Sequence, residues 1–267
     1  MVVRELLGRS GAWRGLRDDV HRLRTRSARR SEREASAAAH QAKIDAYLAE
    51  HEVRRLQLGA GRTVMPGWLS TDLNPKRPDI LPLDGTRPFP FPDDSFDYVF
   101  AEHLIEHVTW RAGQKMLGEC RRVLKPGGVV RIATPDLAVL VALYRGETGA
   151  DGEHYLEWVS RRYLPGIAHR HPVFVLNNAV RNWGHTFLYD AEVLTLALTD
   201  AGFTGVVRRD FGTSEHADLR GVESHGRAVA DQRSVKFETM VLEATAPKLA
   251  QVSPLRVTRP GVTARSR

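Results

Sequence analysis

From residue 54 onward, short apolar runs alternate with stretches of helical spacing. RRLQL (54–58) leads straight into Gly59-Ala60-Gly61, WLSTD (68–72) is a second short run, and FDYVFA (96–101) a third. Apolar runs of this length, ended by turn residues, predict buried strands. Between Trp110 and Leu124 the spacing becomes helical, and Lys125-Pro126-Gly127-Gly128 stops that helix ahead of a strand over VVRIAT. Asp190 is placed to cap a helix over AEVLTLALTDA that Gly202 ends, and FTGVVRRDF and KFETMVLEAT predict two closing strands. Alternation of this kind implies an α/β fold with a mostly parallel sheet and helices on its faces. Ligands of such sheets bind beyond the carboxyl ends of the strands.

The ends of the chain read differently. In residues 1–43 Arg, Ala and Ser dominate, and Leu16, Val20 and Leu23 mark one face of a basic helical extension. A short helix from about Ile44 to His51 leads into the body, residues 44–246. Residues 247–267 have no periodicity and read as a disordered basic tail. Residues 1–40 carry ten Arg against five acids, and 247–267 carry five Lys or Arg and no acids; of the net +7, the middle keeps −3. A mildly acidic body argues against a specific nucleic-acid face. The basic ends suit a solvated helix or weak contact with an anionic surface. With no transmembrane run, no convincing signal peptide and one cysteine, Cys120, the expected location is the cytoplasm.

Three points at strand ends carry candidate chemistry. Gly59 and Gly61 let a backbone turn tightly and bring its N–H groups against a ligand. The third glycine of a dinucleotide fingerprint is replaced by Val64, and no P-loop is present. Asp72 ends the second strand, where a carboxylate can accept from both hydroxyls of a ribose. Asp84, in LPLDGTRPFPF, precedes the third run, where an acid can accept from an adenine amino group.

LQLGAGR, GWLSTD, FPFPDDSFDYVFAEHLIEHV and ECRRVLKPGGVVRIATPDL, in that order, resemble class I S-adenosylmethionine-dependent methyltransferases. More narrowly, the series is similar to predicted bacterial methyltransferases linked to polysaccharide and sugar modification. The resemblance spans roughly residues 44–246. It implies a Rossmann-like fold with a terminal antiparallel strand and a helical insert, and S-adenosylmethionine as cofactor. By position it places Gly59, Ala60 and Gly61 along the methionine part, Asp72 at the ribose, Asp84 at the adenine, and Ala101 and Glu102 at the closing edge. Two departures stand out. Gln57 replaces the acid that many relatives carry two residues before the first glycine. Only ten residues separate Gly61 from Asp72, so the usual helix there is very short or replaced by a loop.

His103 to His107 also match H-x-x-E-H, a zinc-protease signature. Such a motif belongs inside a long helix with a third ligand further on. Here it follows a strand, so it reads as the mouth of the cofactor cleft, with His107 packing or capping, and the sequence assigns no metal ligands. Methyl transfer to a hydroxyl benefits from a base of near-neutral pKa. His103, His185 and Asp136 are the candidates; His225 and Glu223 suit a closing loop as well as catalysis. The insert 137–189 holds Tyr144, Tyr155, Trp158, Tyr163, Phe174, Trp183 and Tyr189, which suit either an acceptor-binding cap that stacks sugar rings or a small helical core. The favoured acceptor is a sugar or glycan precursor. A small natural product, a lipid or a nitrogen nucleophile, and a non-catalytic cofactor-binding scaffold, are the alternatives.

Overall fold

The computed structural model describes residues 34–248. The helix expected around Leu16, Val20 and Leu23 and nearly all of the basic tail lie outside the described residues. A seven-stranded sheet forms the centre, in the order β3-β2-β1-β4-β5-β7-β6. Its strands are β1 (Arg55–Leu58), β2 (Leu69–Asp72), β3 (Leu81–Pro82), β4 (Phe96–Glu102), β5 (Leu124–Pro135), β6 (Thr204–Arg209) and β7 (Thr239–Thr245). β1 to β5 pair in parallel, and β7 inserts antiparallel between β5 and β6. The strand order reverses between β1 and β4, a switch point at which the two exit loops diverge and leave a crevice.

Helix α1 covers residues 34–50, so it begins before Ile44 and crosses the expected boundary at residue 43. Ile44 and Tyr47 pack it into the main core beside Phe96. The Tyr47 hydroxyl accepts from the Arg55 amide at 2.8 Å, which ties the helix to the first strand. α2 (Trp110–Val123) buries Gly113, Met116, Leu117, Cys120 and Val123, the three- and four-residue spacing of a single face. α6 (Ala191–Asp200) starts where expected, with Asp190 Oδ1 accepting from the Val193 amide at 2.8 Å.

Between β1 and β2 residues 61–68 form a loop, one of the two expected alternatives. Two other local expectations change. The Lys125–Gly128 turn is a bulge inside β5, where pairing to β4 shifts between Phe96 and Tyr98 and Gly127 takes a φ of 87°. The expected last strand is shorter, because Lys236–Glu238 end helix α8 (Gln232–Glu238), whose buried Ser234, Val235 and Glu238 hold one helical face.

The insert folds as α3 (Leu137–Arg145), α4 (Gly149–Tyr163) and α5 (Pro172–Arg181) around a separate core of Leu140, Leu143, Tyr155, Leu156, Val159, Val175 and Ala179. A bridge between Asp136 and Tyr189 closes it at its base. A four-residue helix, α7 (His225–Ala228), precedes α8.

Candidate active site

A cavity of about 470 Å³ opens at the carboxyl ends of β1 and β4. One wall is backbone: Gly59, Ala60 and Gly61, with φ of 67° at Gly59 and 58° at Gly61, a left-handed turn that only glycine adopts without strain. A Cβ at Gly61 would meet nothing within 4 Å, so the missing side chain leaves open space for a ligand. The Gly61 amide donates to Asp72 Oδ2 at 2.8 Å, and Asp72 Oδ1 accepts from the Asn74 amide. The carboxylate at the end of β2 therefore sets the turn after β1. Gln57 lies under the turn, its Oε1 accepting from the buried Ser70 hydroxyl at 2.7 Å.

The opposite wall grows from the end of β4. Glu102 accepts from the Ser224 amide at 2.8 Å and the His225 amide at 3.0 Å, clamping the segment before α7 across the cleft. His103 takes a φ of 46°, an uncommon conformation for a residue with a side chain. Its ring stacks on His225 with centroids 4.2 Å apart, and its Nε2 lies 3.1 Å from Thr239 Oγ1. Its Nδ1 sits 3.3 Å from Glu106 Oε1, a carboxylate with no solvent exposure. Burial alone would lower the His103 pKa, but the adjacent Glu106 carboxylate and the charges of Glu238 and Glu102 raise it. Burial works to raise Glu106, and the neighbouring His103 outweighs it, holding the carboxyl below its ordinary range. Burial and the His103 charge push His225 down to about 4, leaving it neutral at physiological pH.

The remaining wall comes from the insert and α8: Trp158, Tyr163, Trp183, His185 and Glu238. The Tyr163 and Trp183 rings meet edge-on with centroids 4.9 Å apart. His185 Nδ1 lies 2.7 Å from the Ala179 carbonyl, so that nitrogen carries the proton and Nε2 is left as an acceptor. Burial lowers the His185 pKa. Burial raises Glu238, which accepts a hydrogen bond from the buried Tyr155 hydroxyl.

The structure gathers most of the residues singled out in the sequence, and disperses a few. Gly59, Ala60, Gly61, Glu102, His103 and His185 line the cavity, and Asp72 touches it through Gly61. Ala101 is fully buried beneath it in β4. Asp84 stands two residues past Pro82, the register partner of Asp72, and its oxygens take Thr86 and Arg87. Asp136 is committed elsewhere: Oδ1 caps α3 at the Ala138 amide and Oδ2 binds Arg208 at 2.8 Å. Glu223 points away from the cavity into a buried pair with Arg131. The insert aromatics divide: Tyr155 is core, whereas Trp158, Tyr163 and Trp183 face the cavity. His107, expected to pack or cap, is exposed at the rim. Glu238 escaped notice in the sequence, because it sits in what read as a strand.

Comparison with known proteins adds identity to this geometry. Residues 66–132, about a quarter of the chain, match the model of a family described as "Methyltransferase domain". A search of the curated proteins finds no match. Among solved structures, the chain is similar to a SAM-dependent methyltransferase from Archaeoglobus fulgidus at 17% identity and a TM-score of 0.43, covering 80% of this chain and 94% of that one. It is also similar to a structure of the Haloferax volcanii Trm112 methyltransferase activator with a methyltransferase, at 18% identity, a TM-score of 0.41 and coverage of 80% and 93%. Against the Haemonchus contortus phosphoethanolamine N-methyltransferase 2 bound to S-adenosyl-L-methionine, it reaches 16% identity and a TM-score of 0.40, covers 73% of itself and spans about half (49%) of that chain. Likeness this distant carries nothing about the acceptor. The glycine turn leaves the space a ligand needs, and the matched domain runs across β2 to β5 at the cofactor end of the sheet. Over residues 66–132 this chain resembles a methyltransferase domain.

Proposed function

We propose that the enzyme methylates a hydroxyl oxygen of a sugar or glycan precursor in the cytoplasm, with residues 137–189 of a 44–246 catalytic body as the acceptor cap. The observation that carries this reading is the wall of Trp158, Tyr163 and Trp183 around a cavity that also holds the free Nε2 of His185 and the Glu238 carboxyl. Ring faces beside polar groups suit a polyhydroxylated ring, which is apolar on its faces and polar at its edges. A single buried, unpaired cysteine, Cys120, fits a reducing compartment. No helix among the described residues is long and apolar enough to cross a membrane.

Bound S-adenosylmethionine supplies a methyl group on a sulfonium, already a good leaving group. The residues of this chain then bind, align and manage one proton. The Gly59–Gly61 backbone and Asp72 hold the cofactor end, with Asp84 at the adenine side. Trp158, Tyr163 and Trp183 fix the acceptor ring; alignment of this kind is where most of the rate enhancement of such a displacement arises. His185, neutral and with its Nδ1–H held by Ala179, accepts the hydroxyl proton at Nε2. The buried contact between His103 and Glu106 fixes the floor of the site beside it.

The test is a panel of nucleotide-linked and free sugars, simple amines and lipid alcohols, read by release of S-adenosylhomocysteine. Turnover on a sugar, with Trp158→Ala raising KM at least tenfold at unchanged cofactor affinity, supports the reading. Turnover confined to amines or lipids overturns the acceptor class, and binding without turnover on any member returns the scaffold alternative.

A further inference from the structure

We infer that Glu106, His107 and His185 form a binding site for a divalent transition-metal ion in the wall of the active-site cavity. One potential ligand atom from each residue lies within 4.8 Å of the others. Two imidazoles and one carboxylate with open positions are a donor set that suits zinc, cobalt, manganese or ferrous ions.

The local geometry is that of built ligands. Glu106 and His107 end a three-residue 3-10 turn, Ile105–His107, directly after β4. Glu106 Oε2 accepts from the Thr134 hydroxyl at 2.9 Å, which fixes the carboxylate. Its Oε1 is buried without a hydrogen-bond partner; His103 Nδ1 stands off at 3.3 Å. A buried carboxylate oxygen left with an unused lone pair costs free energy unless something fills it. His185 donates Nδ1–H to the Ala179 carbonyl, an arrangement that orients an imidazole and sharpens its other nitrogen as a ligand.

The two ligand-bearing segments, far apart in sequence, are also held to each other. The Glu106 carbonyl accepts from the Thr186 amide at 2.8 Å and the Phe187 amide at 3.2 Å, so the turn at 105–107 and the strand of chain after His185 move as one. The His107 and His185 rings lie edge-to-face at 77° with centroids 4.9 Å apart. Bonds of about 2.1 Å put tetrahedral ligands about 3.4 Å apart, so the cluster closes by about 1 Å on binding. The exposed His107 ring supplies that movement, and Gly184, where a Cβ would lie 3.6 Å from His107 Nδ1, leaves it room. His107 and His185 both line the cavity, so an ion held there keeps positions open to oxygen ligands within it.

An ion on His185 Nε2 excludes that nitrogen from accepting a proton, so the metal-bound and base-competent forms are alternative states of the site. The inference goes beyond methyl transfer to any particular acceptor and is tested on metal binding itself. Untagged full-length chain, stripped with a chelator, is titrated with Co²⁺ and followed by its visible ligand-field absorption, and with Zn²⁺ by calorimetry. One equivalent is expected to bind. His185→Ala and His107→Ala each weaken binding by about 10- to 100-fold, the range typical for disturbing a site of this kind. His169→Ala, an exposed histidine outside the cavity, leaves it unchanged. Retained affinity for S-adenosylhomocysteine shows that each variant is folded; a variant that loses it is replaced by the glutamine substitution. No saturable binding, or binding that the cluster variants and His169→Ala shift alike, overturns the site.

Discussion

Arg131→Met removes a charge from a buried ion network. Arg131 is fully buried in β5, opposite Glu243 of β7 in register. Its Nε donates to Glu223 Oε1 at 2.6 Å, and its Nη1 to Glu243 Oε1 at 2.6 Å and to the Thr213 carbonyl at 2.9 Å. Met keeps most of the stem volume, so the loss is mainly electrostatic. Glu243 retains Arg209, whose Nε donates to Oε2 at 3.0 Å. Glu223 is left buried with no cation. Breaking one side of a buried pair costs about 3–5 kcal/mol, a large share of the roughly 5–15 kcal/mol that holds a domain folded. At about 2–4 °C per kcal/mol for a domain of this size, the midpoint of thermal unfolding falls by about 6–20 °C.

The pH dependence supplies an independent check. Burial already raises the Glu223 pKa, and Arg131 works against that rise; without Arg131 the folded-state value climbs further above the unfolded one. A carboxyl raised on folding binds more protons in the native state, so its penalty grows as pH rises through the unfolded pKa and shrinks on acidification. Urea unfolding at pH 8 therefore shows a larger deficit for Arg131→Met than the same experiment at pH 5, and adding Glu223→Gln recovers most of it at pH 8. A deficit below about 1 kcal/mol at pH 8, or one that widens on acidification, would refute the reasoning. Since Glu223 adjoins the Ser224 and His225 amides that Glu102 holds, affinity for S-adenosylhomocysteine falls in step.

Three further outcomes are expected. Asp72→Ala releases the Gly61 and Asn74 amides, and calorimetry should show at least a tenfold loss of S-adenosylhomocysteine affinity with secondary structure unchanged; equal affinity would remove Asp72 from the cofactor site. His185 acts neutral and its pKa lies below 6.5, so kcat/KM stays level as pH falls to about 6.5 and drops only below it; His185→Gln should abolish that limb together with most turnover. His225 is neutral when folded, with a pKa of about 4 against about 6.5 unfolded, so the stability it adds is complete above pH 6.5 and is lost as pH falls toward 4. His225→Gln should flatten that part of the stability profile, and an unchanged slope would place the acid sensitivity elsewhere.

Much of this architecture was legible in the order of apolar runs, because buried parallel strands are short apolar segments ended by glycine, aspartate or histidine. The runs ending at Leu58, Asp72 and Ala101 gave three neighbours of the sheet and the side on which the cleft opens. What escaped was set by contacts between distant segments. Glu238 belongs to a helix because Ser234 and Val235 bury the same face with it, which outweighs the strand propensity of the residues that follow. The meeting of Glu106 and His107 with His185 depends on how the insert returns to the sheet, which no local spacing encodes. One hint was present: Arg131 and Glu243 are charges flanked on both sides by apolar residues within their strands, and such charges demand a partner of opposite sign across the sheet.

The loop at 61–68 has an electrostatic consequence. Where a helix follows a glycine turn, its aligned peptide dipoles place about half a positive charge at the N-terminus, a fixed and largely unscreened attraction for anions. This chain gives up that field. Arg62 is the one Lys or Arg among the described residues lining the cavity, and it is exposed, so a carboxylate bound at the glycine turn would be attracted by a solvated charge. Such a charge is screened over about 10 Å at 0.1 M salt. Cofactor retention in this enzyme should therefore weaken as ionic strength rises.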